Sequence, residues 1–325
     1  MSEKASISDI LVNYFLLIVL VVVTAVFIIA GGKGFLSGTM LINILRSTST
    51  LGVVGVGLTV IWGAGEMDFS IGTECTAGAV ICGMLLMNDN FNSYPLAVLC
   101  SVVLVGLMGL CNALLTLKLH IPSFIATLGM STIVGGILKL WTNNSVVYSK
   151  NWPDAFTAFT RVSILKIPVI FWLFMAISIG GYIFLEKTRT GRYIGSAGIN
   201  ATACKQVGIN VNKVKTIAFV TCAAIVGFGG VMYASVVNSV SPSSGVNVLD
   251  GICIVLMGAT FLKGGQANIL GTVLAALLMA ILSNGLTFLG MPEYAKDILQ
   301  GIIIAVAVSA IAIKKKGTLP TVSFG

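Results

Sequence analysis

Four acidic side chains are the residues of this sequence whose types and positions could do chemistry. Glu66, Asp68 and Glu74 stand at one boundary between apolar segments, and Asp250 stands at another, in a chain with only 11 acids. Acids beside membrane segments are costly and usually serve a function. Such a carboxylate can bind a ligand, carry a proton, or cap the free N–H groups of the helix that follows it. Because no basic residue stands beside these acids in the sequence, we favour capping.

The motifs of common catalytic and nucleotide-binding sites are missing from the sequence. It contains no G-x-x-x-x-G-K-[ST], no H-E-x-x-H and no G-x-S-x-G. The single histidine, His120, has no ligand cluster around it, so we predict no metal site. None of the seven cysteines forms a C-x-x-C pair, and we interpret them as small buried hydrophobic residues. We therefore expect no catalytic residue and no cofactor bound by this chain.

The composition places these residues in a membrane protein. Of the 325 residues, 57% are hydrophobic and 9% are charged, and the mean hydropathy is +1.02. Soluble domains carry about 25% charged residues, so an ordinary cytosolic enzyme, a secreted disulfide scaffold and a disordered chain are excluded. Continuous apolar runs near 20 residues argue against a β-barrel. The net charge of +8 indicates membrane orientation rather than nucleic-acid binding.

Ten apolar segments predict an all-α polytopic protein with one membrane domain over residues 1–325. They are approximately 10–30, 48–64, 72–88, 94–117, 122–141, 165–185, 214–237, 249–262, 267–289 and 296–313. The third and eighth are short for a full span, so we expect them to be tilted, broken or partly re-entrant. The first lacks a basic n-region and an A-x-A site, so we expect a transmembrane helix rather than a signal peptide.

The basic residues orient these segments. With the N-terminus inside and ten crossings, twelve of the 19 Lys and Arg lie inside, chiefly in segment 186–213 and in Lys314–Lys316. The positive-inside rule then places both termini and 186–213 in the cytoplasm, and segment 142–164 outside. The blocks 48–141 and 214–313 would run in opposite directions, which predicts inverted repeats.

Segment 186–213 contains a short predicted helix from Asn200 to Val207. Asn200 is a good N-cap and Gly208 a good C-cap. A short capped helix in a cytoplasmic loop is suited to docking a partner below the membrane. The alternative is a solvated connector.

Glycines are the other conspicuous feature of the apolar segments. Gly52, Gly55 and Gly57 lie together in the second segment, and Gly227, Gly229 and Gly230 lie together in the seventh. Small residues let membrane helices approach closely, so we predict tight packing for most of them. The alternative is that they act as hinges of a moving pathway.

Four stretches resemble the permease subunits of ribose-type ABC sugar importers. They are Gly65–Gly72, Ile121–Gly129, Thr190–Asn210 and Leu249–Thr272, and the resemblance extends from about residue 40 to 313. Each string alone is weak, but four in order with matching spacing make a specific signal. The chain departs from the family pattern at Glu66, at Ala201–Cys204 and at Lys263–Asn268, which leaves the substrate open.

The resemblance implies a type II permease fold like that of the vitamin B12 importer, with about ten transmembrane helices, working as a dimer in the bacterial inner membrane. It implies a cytoplasmic ABC ATPase that binds ATP and Mg²⁺, and an extracytoplasmic substrate-binding protein that meets loop 142–164. The coupling helix to the ATPase would comprise Asn200, Ala201, Thr202, Ala203, Cys204, Lys205, Gln206, Val207, Gly208 and Ile209. The pathway or gate candidates are Asp68, Ser70, Phe124, Thr127, Asp250 and Asn284.

The function that follows is a non-catalytic permease subunit of an ATP-driven importer. We expect a monosaccharide such as ribose, xylose or galactose, with autoinducer-2 or a nucleoside as alternative cargoes. An ion-coupled secondary carrier would instead take up its solute without a partner. An intramembrane enzyme would need a catalytic pair inside the bundle, and the sequence shows none. The second permease can be an identical copy or a related chain.

Overall fold

The computed structural model describes residues 14–88, 93–148, 150, 152–243, 247–261 and 265–314. The helices are α1 (Phe15–Phe35), α2 (Gly38–Gly63), α3 (Ile71–Leu86), α4 (Tyr94–Leu117), α5 (Ser123–Trp141), α6 (Asp154–Phe159), α7 (Val169–Tyr182), α8 (Arg189–Ile199), α9 (Ala201–Gln206), α10 (Val211–Val237), α11 (Val248–Thr260), α12 (Ile269–Phe288) and α13 (Glu293–Lys314). A π-helical turn, Ile183–Lys187, extends α7. Several predicted features lie outside the described residues. They are the start of the first predicted segment, Lys263, Gly264, residues 149 and 151 of the outer loop, and the basic residues after Lys314.

Each of the ten predicted segments falls on a helix. Seven described helices are long and apolar enough to cross a membrane: α1, α2, α4, α5, α7 with its π-helical extension, α10 and α12. The third and eighth segments form the shorter apolar helices α3 and α11, as their lengths predicted. The tenth corresponds to the 22-residue α13. The chain is therefore a multi-pass membrane protein, while the count of ten spans stays a prediction.

Two helix boundaries differ from the predicted ones for local reasons. Helix α2 begins ten residues before the predicted start at 48, because Ser37 caps it by accepting a hydrogen bond from the Met40 amide at 3.3 Å. An antiparallel hairpin spans the boundary between the predicted outer loop and the sixth segment. Strand β2 (Ser163–Ile164) ends the loop, β3 (Ile167–Pro168) lies in the segment, and α7 starts only at Val169, after Pro168.

The predicted outer loop packs onto one end of the bundle. Strand β1 (Val147–Tyr148) pairs antiparallel with β4 (Ser239–Val240), which follows α10. The buried indole of Trp152 donates to the carbonyl oxygen of Gly83 at 3.1 Å. Thr160 donates to the carbonyl oxygen of Ser235 at 2.9 Å. These contacts hold the described part of 142–164 against the ends of α3 and α10.

Helices α2 and α10 form the centre of the bundle and pack against each other. Helix α10 also packs on α3 and α4, and α2 packs on α11 and α12 in the corresponding way. The pairs α3–α4 and α11–α12 are in contact, with α5 beside the first pair and α13 beside the second. The two predicted four-helix blocks thus have matching neighbours.

Glycines bring several of these helices into backbone contact. A Cβ at Gly78 in α3 would overlap the carbonyl oxygen of Gly227 in α10, and one at Gly230 would overlap that of Cys75. In the other block, Gly258 and Gly271 stand against each other in the same manner. Tight packing is therefore confirmed at these positions.

Candidate functional site

The connection between α2 and α3 positions the first group of candidate residues. Helix α2 ends at Gly63, and Gly65 adopts a left-handed φ of 74° that turns the chain back across the bundle. A Cβ at Gly65 would stand 3.0 Å from the Cα of Gly198, so the connection lies directly against the end of α8. A side chain at either glycine would push these two segments apart.

Asp68 and Ser70 meet in a fully enclosed polar cluster. Asp68 accepts hydrogen bonds from the Ser70 backbone N–H at 2.7 Å, from the Ser70 hydroxyl, and from Nδ2 of Asn112 at 3.3 Å. Ser70 occupies the N-cap position of α3, and Asp68 accepts the free Ser70 N–H at this helix start, which confirms its predicted role as an acceptor of free N–H groups. Burial raises the pKa of the Asp68 carboxyl above its ordinary value, and these hydrogen bonds oppose the shift.

Thr127 joins α5 to the same connection. Its hydroxyl oxygen accepts a hydrogen bond from the Phe69 backbone N–H at 3.0 Å, and its own side chain is fully buried. Phe124, one turn earlier in α5, supplies a carbonyl oxygen 3.3 Å from the Thr127 hydroxyl. The candidates Asp68, Ser70 and Thr127 are therefore brought together around one segment, residues 64–70, and Phe124 is joined to them through Thr127.

The remaining candidates lie elsewhere in the bundle. Asp250 sits in the first turn of α11, but Asn247 is the cap, since its Oδ1 accepts from the Leu249 amide at 3.0 Å. Capping by Asp250 is therefore wrong, while its place in the first turn agrees with the predicted opposition to the helix dipole. Asn284 in α12 donates to the Ser47 hydroxyl at 3.0 Å and so links α12 to α2.

Two of the acids have basic partners that the sequence reasoning missed. Glu66 pairs with Lys215 at 2.6 Å, and Asp250 pairs with Lys296 at 2.9 Å. Both pairs are largely shielded from solvent, with side-chain exposures between 7% and 21%. The partners lie 149 and 46 residues away along the chain, so adjacency in sequence could not reveal them. The predicted topology contained the signal, because it places the members of each pair on the same side of the membrane.

The predicted coupling helix forms as a separate short helix. Asn200 caps α9 by accepting the Ala203 amide at 2.9 Å, which confirms the predicted N-cap. Gly208 follows with a φ of 82°, and its amide donates to the carbonyl oxygen of Lys205 at 3.1 Å. These bonds close both ends of α9 within the chain itself.

One face of α9 is anchored and the other is free in the described structure. Cys204 is buried against a core that includes Ile194, Val211 and Val214, and Ala201 and Ile209 pack at its edge. The side chains exposed on this helix and its C-terminal end are Thr202, Ala203, Lys205, Gln206 and Val207, the last at 75%. The exposed side of α9 is therefore free for the contact that the coupling prediction requires.

A cavity of about 590 Å³ lies beside α8, the helix that precedes α9. Its volume is typical of small-molecule pockets. It lies between the end of α2, helix α8 and residues 265–267. Its polar lining consists of Trp62, Glu66, Glu186, Arg192, Ser196 and Gln266. None of the six pathway or gate candidates lines it. In this conformation Asp68, Ser70, Thr127 and Asp250 are buried, and Phe124 and Asn284 are half-buried outside that cavity.

A protein-family comparison matches most of the chain. Residues 40–308 fit the family described as "Branched-chain amino acid transport system / permease component". The matched range includes the 64–70 connection, the coupling segment and both ion pairs. No solved structure matches the chain.

Curated relatives resemble nearly the whole chain. The ribose import permease protein RbsC of Escherichia coli (strain K12) is 32% identical over 273 residues, which cover 82% of this chain and 84% of the relative. The xylose/arabinose import permease protein XylH of Sulfolobus acidocaldarius is 29% identical over 304 residues, 88% of this chain and 82% of the relative. The autoinducer 2 import system permease protein LsrC of Salmonella typhi is 26% identical over 280 residues, which cover 86% of this chain and 80% of the relative.

Proposed function

This chain belongs to the branched-chain amino acid transport system permease family, and from that premise we propose how it works as the membrane subunit of an ABC importer. The chain is a transmembrane permease subunit, and its relatives are import permeases for small solutes. The observation that carries the mechanism is α9, a doubly capped helix that is anchored by Cys204 and exposes Val207.

The proposed cargo is a monosaccharide. Ribose and xylose/arabinose stand in the names of two relatives that cover at least 82% of this chain. Autoinducer 2 is the second candidate, because the relative named for it matches 86% of the chain. The lower identity of that relative, 26% against 32%, makes a pentose the first solute to test.

Energy enters through α9 in this proposal. A cytoplasmic ATPase binds ATP and Mg²⁺, and a groove in that ATPase receives the exposed side of α9. Helix α10 begins at Val211, directly after the coupling segment, and it packs against α2, α3 and α4. A pull on α9 therefore reaches the centre of the bundle through a single covalent connection.

The proposed architecture is a ten-span type II permease with inverted repeats. The matching neighbours of α2–α5 and α10–α13 support it. Both termini lie in the cytoplasm, a second permease chain completes the pathway, and a substrate-binding protein meets segment 142–164. That segment is firmly packed on the bundle through β1 and Trp152, as a docking platform requires.

Purification of a tagged chain from native membranes, followed by mass spectrometry, tests the assignment of partners. We expect an ABC ATPase, a second permease copy or related permease, and a substrate-binding protein to co-purify. The recovered complex is then placed in vesicles to measure uptake of labelled ribose, with ATP or a non-hydrolysable analogue enclosed. Uptake is expected only with ATP.

Two results would contradict the proposal in different ways. Ribose uptake by the chain alone, without ATP and abolished by an ionophore, would make it a secondary carrier. ATP-dependent uptake of autoinducer 2 but not of a pentose would keep the importer and change the cargo.

A further inference from the structure

The buried cluster around Asp68 holds more ligand atoms than a helix turn requires. Asp68, Glu74 and Cys222 each offer one atom, and these atoms lie within 4.8 Å of one another. All three side chains are buried, at 1%, 0% and 0% exposure. Asp68 comes from the 64–70 connection, Glu74 from α3 and Cys222 from α10. Ser70 of the same connection and Asn112 of α4 lie beside them.

Negative charge in this cluster has no counter-charge. Within the described part of the chain, no lysine or arginine forms an ion pair with Asp68 or Glu74. Two carboxylates this close in an environment without water cannot both stay ionised unless a cation or a proton joins them.

Hydrogen bonding in the cluster is also incomplete. The single hydroxyl proton of Ser70 faces both Asp68 and Glu74, and Asp68 receives the shorter bond. Glu74 Oε2 and Asn112 Oδ1 are buried and have no hydrogen-bond partner among the described residues. The Asn112 amide lies inside the cluster, because its Nδ2 is 2.9 Å from the Ser70 hydroxyl and 3.5 Å from Glu74 Oε1. Orphaned acceptors of this kind are rare in proteins and cost free energy.

We propose that this cluster binds one divalent metal ion of intermediate softness, of the Zn²⁺ class. Asp68, Glu74 and Cys222 are its ligands, and the hydroxyl oxygen of Ser70 completes the shell. Two carboxylates and one thiolate suit such an ion better than Mg²⁺ or Ca²⁺, which take oxygen ligands alone. On binding, the S–H bond of Cys222 breaks and a sulfur–metal bond forms without a change of oxidation state. The thiol proton, and the proton that joins the two carboxylates in the metal-free protein, both leave to solvent.

The metal would tie the 64–70 connection to α3 and α10. Ligands of a tetrahedral zinc lie about 2.0–2.3 Å from the ion, so the three side chains close in around it. Helix α10 follows the coupling segment directly, and Cys222 lies three turns into it. None of its ligands lines the cavity beside α8. No spacing signal in the sequence indicates this site, because the ligands come from separate elements.

Cobalt substitution in the purified full-length chain tests the site. The protein in detergent is stripped with a chelator and titrated with Co²⁺, then with Zn²⁺. We expect one Co²⁺ per chain, a thiolate-to-cobalt charge-transfer band in the near ultraviolet, and a thermal midpoint that rises with Zn²⁺. Cys222→Ser should abolish the band, and Glu74→Gln should weaken Zn²⁺ binding at least tenfold. Cys253→Ser, at a buried cysteine outside the cluster, is the matched control and should bind like the wild type.

Clear outcomes would overturn the proposal. One is a wild-type chain that binds no stoichiometric Co²⁺ or Zn²⁺. Another is a band that survives Cys222→Ser but disappears in Cys253→Ser. A third is a Glu74→Gln variant that is more stable than the wild type while Zn²⁺ stabilises neither, which would assign a proton to Glu74 instead. If Glu74→Gln fails to fold, the wild-type titration and the Cys222→Ser variant still decide whether the cluster binds a metal ion.

Discussion

At the scale of single residues, the Asp250–Lys296 pair holds α13 against α11. Asp250 is 7% exposed and Lys296 is 21% exposed, so either charge left alone would be poorly hydrated. We expect Asp250→Asn to lower the free energy of unfolding by about 2 kcal/mol, between the values for exposed and fully buried pairs. Thermal unfolding in detergent and the yield of folded protein measure this loss.

A double-variant cycle separates the pair from other effects of Asp250→Asn. Asp250→Asn with Lys296→Gln should be more stable than the sum of the two single losses predicts, because no unpaired charge remains. Substrate preference should stay unchanged. A shifted substrate profile at normal yield would instead make Asp250 part of the pathway.

The residues around these acids show where prediction from sequence stopped. The acids themselves stood out because charges are rare in apolar segments. Their partners did not, since Lys215, Lys296 and Asn112 are ordinary residues until the bundle brings them within 3.5 Å. Capping was the reasonable local interpretation, and at Asp250 the tertiary pair with Lys296 overrode it.

At the scale of elements, α9 carries a prediction about coupling. Val207→Asp places a charge on the exposed surface that we propose to enter the ATPase groove. We expect the ATPase to be lost from the purified complex and ATP-dependent uptake to fall at least tenfold. The protein should still fold, because Val207 is 75% exposed. Val207→Ile is the matched control and should keep both ATPase and uptake. Normal ATPase recovery and normal uptake with Val207→Asp would count against α9 as the coupling helix.

Helix packing carries a second prediction at this scale. A Cβ at Gly230 would overlap the backbone of Cys75, so Gly230→Ala must push α10 away from α3. We expect a loss of about 1–3 kcal/mol, typical of overpacking, read from thermal unfolding. Gly129→Ala is the matched control, since no atom lies within 4 Å of its Cβ. That change should be neutral or stabilising by up to about 1 kcal/mol. Equal effects of the two substitutions would show that α3 and α10 do not touch as described.

Element boundaries were predictable where local chemistry was strong. Asn200 and Gly208 fixed α9 from the sequence alone, because cap residues act on their own neighbours. The hairpin at 163–168 escaped detection because Leu165 and Lys166 carry no turn signature, although both adopt positive φ. Its turn and its second strand lie inside segment 165–185, which hydropathy alone predicts to be helical.

At the scale of the whole molecule, the membrane topology determines on which side α9 and each ion pair lie. Helix α7 with its π-helical extension is a span candidate, and only α8 separates its end from α9. Leu165 in the hairpin and Val207 after α9 must then lie on opposite sides of the membrane. In the proposed orientation, Glu66–Lys215 lies on the cytoplasmic side with Val207, and Asp250–Lys296 lies outside with Leu165.

Cysteine labelling in spheroplasts decides this orientation. Leu165→Cys and Val207→Cys are matched probes, because the native side chains are 81% and 75% exposed. A membrane-impermeant maleimide should label Leu165→Cys in intact spheroplasts and Val207→Cys only after permeabilisation. Wild-type protein gives the background from the native cysteines, including the exposed Cys111. The reverse labelling pattern would show the opposite membrane orientation, with α9 outside, where no ATPase can reach it. Labelling of both probes from outside would remove α7 as a span.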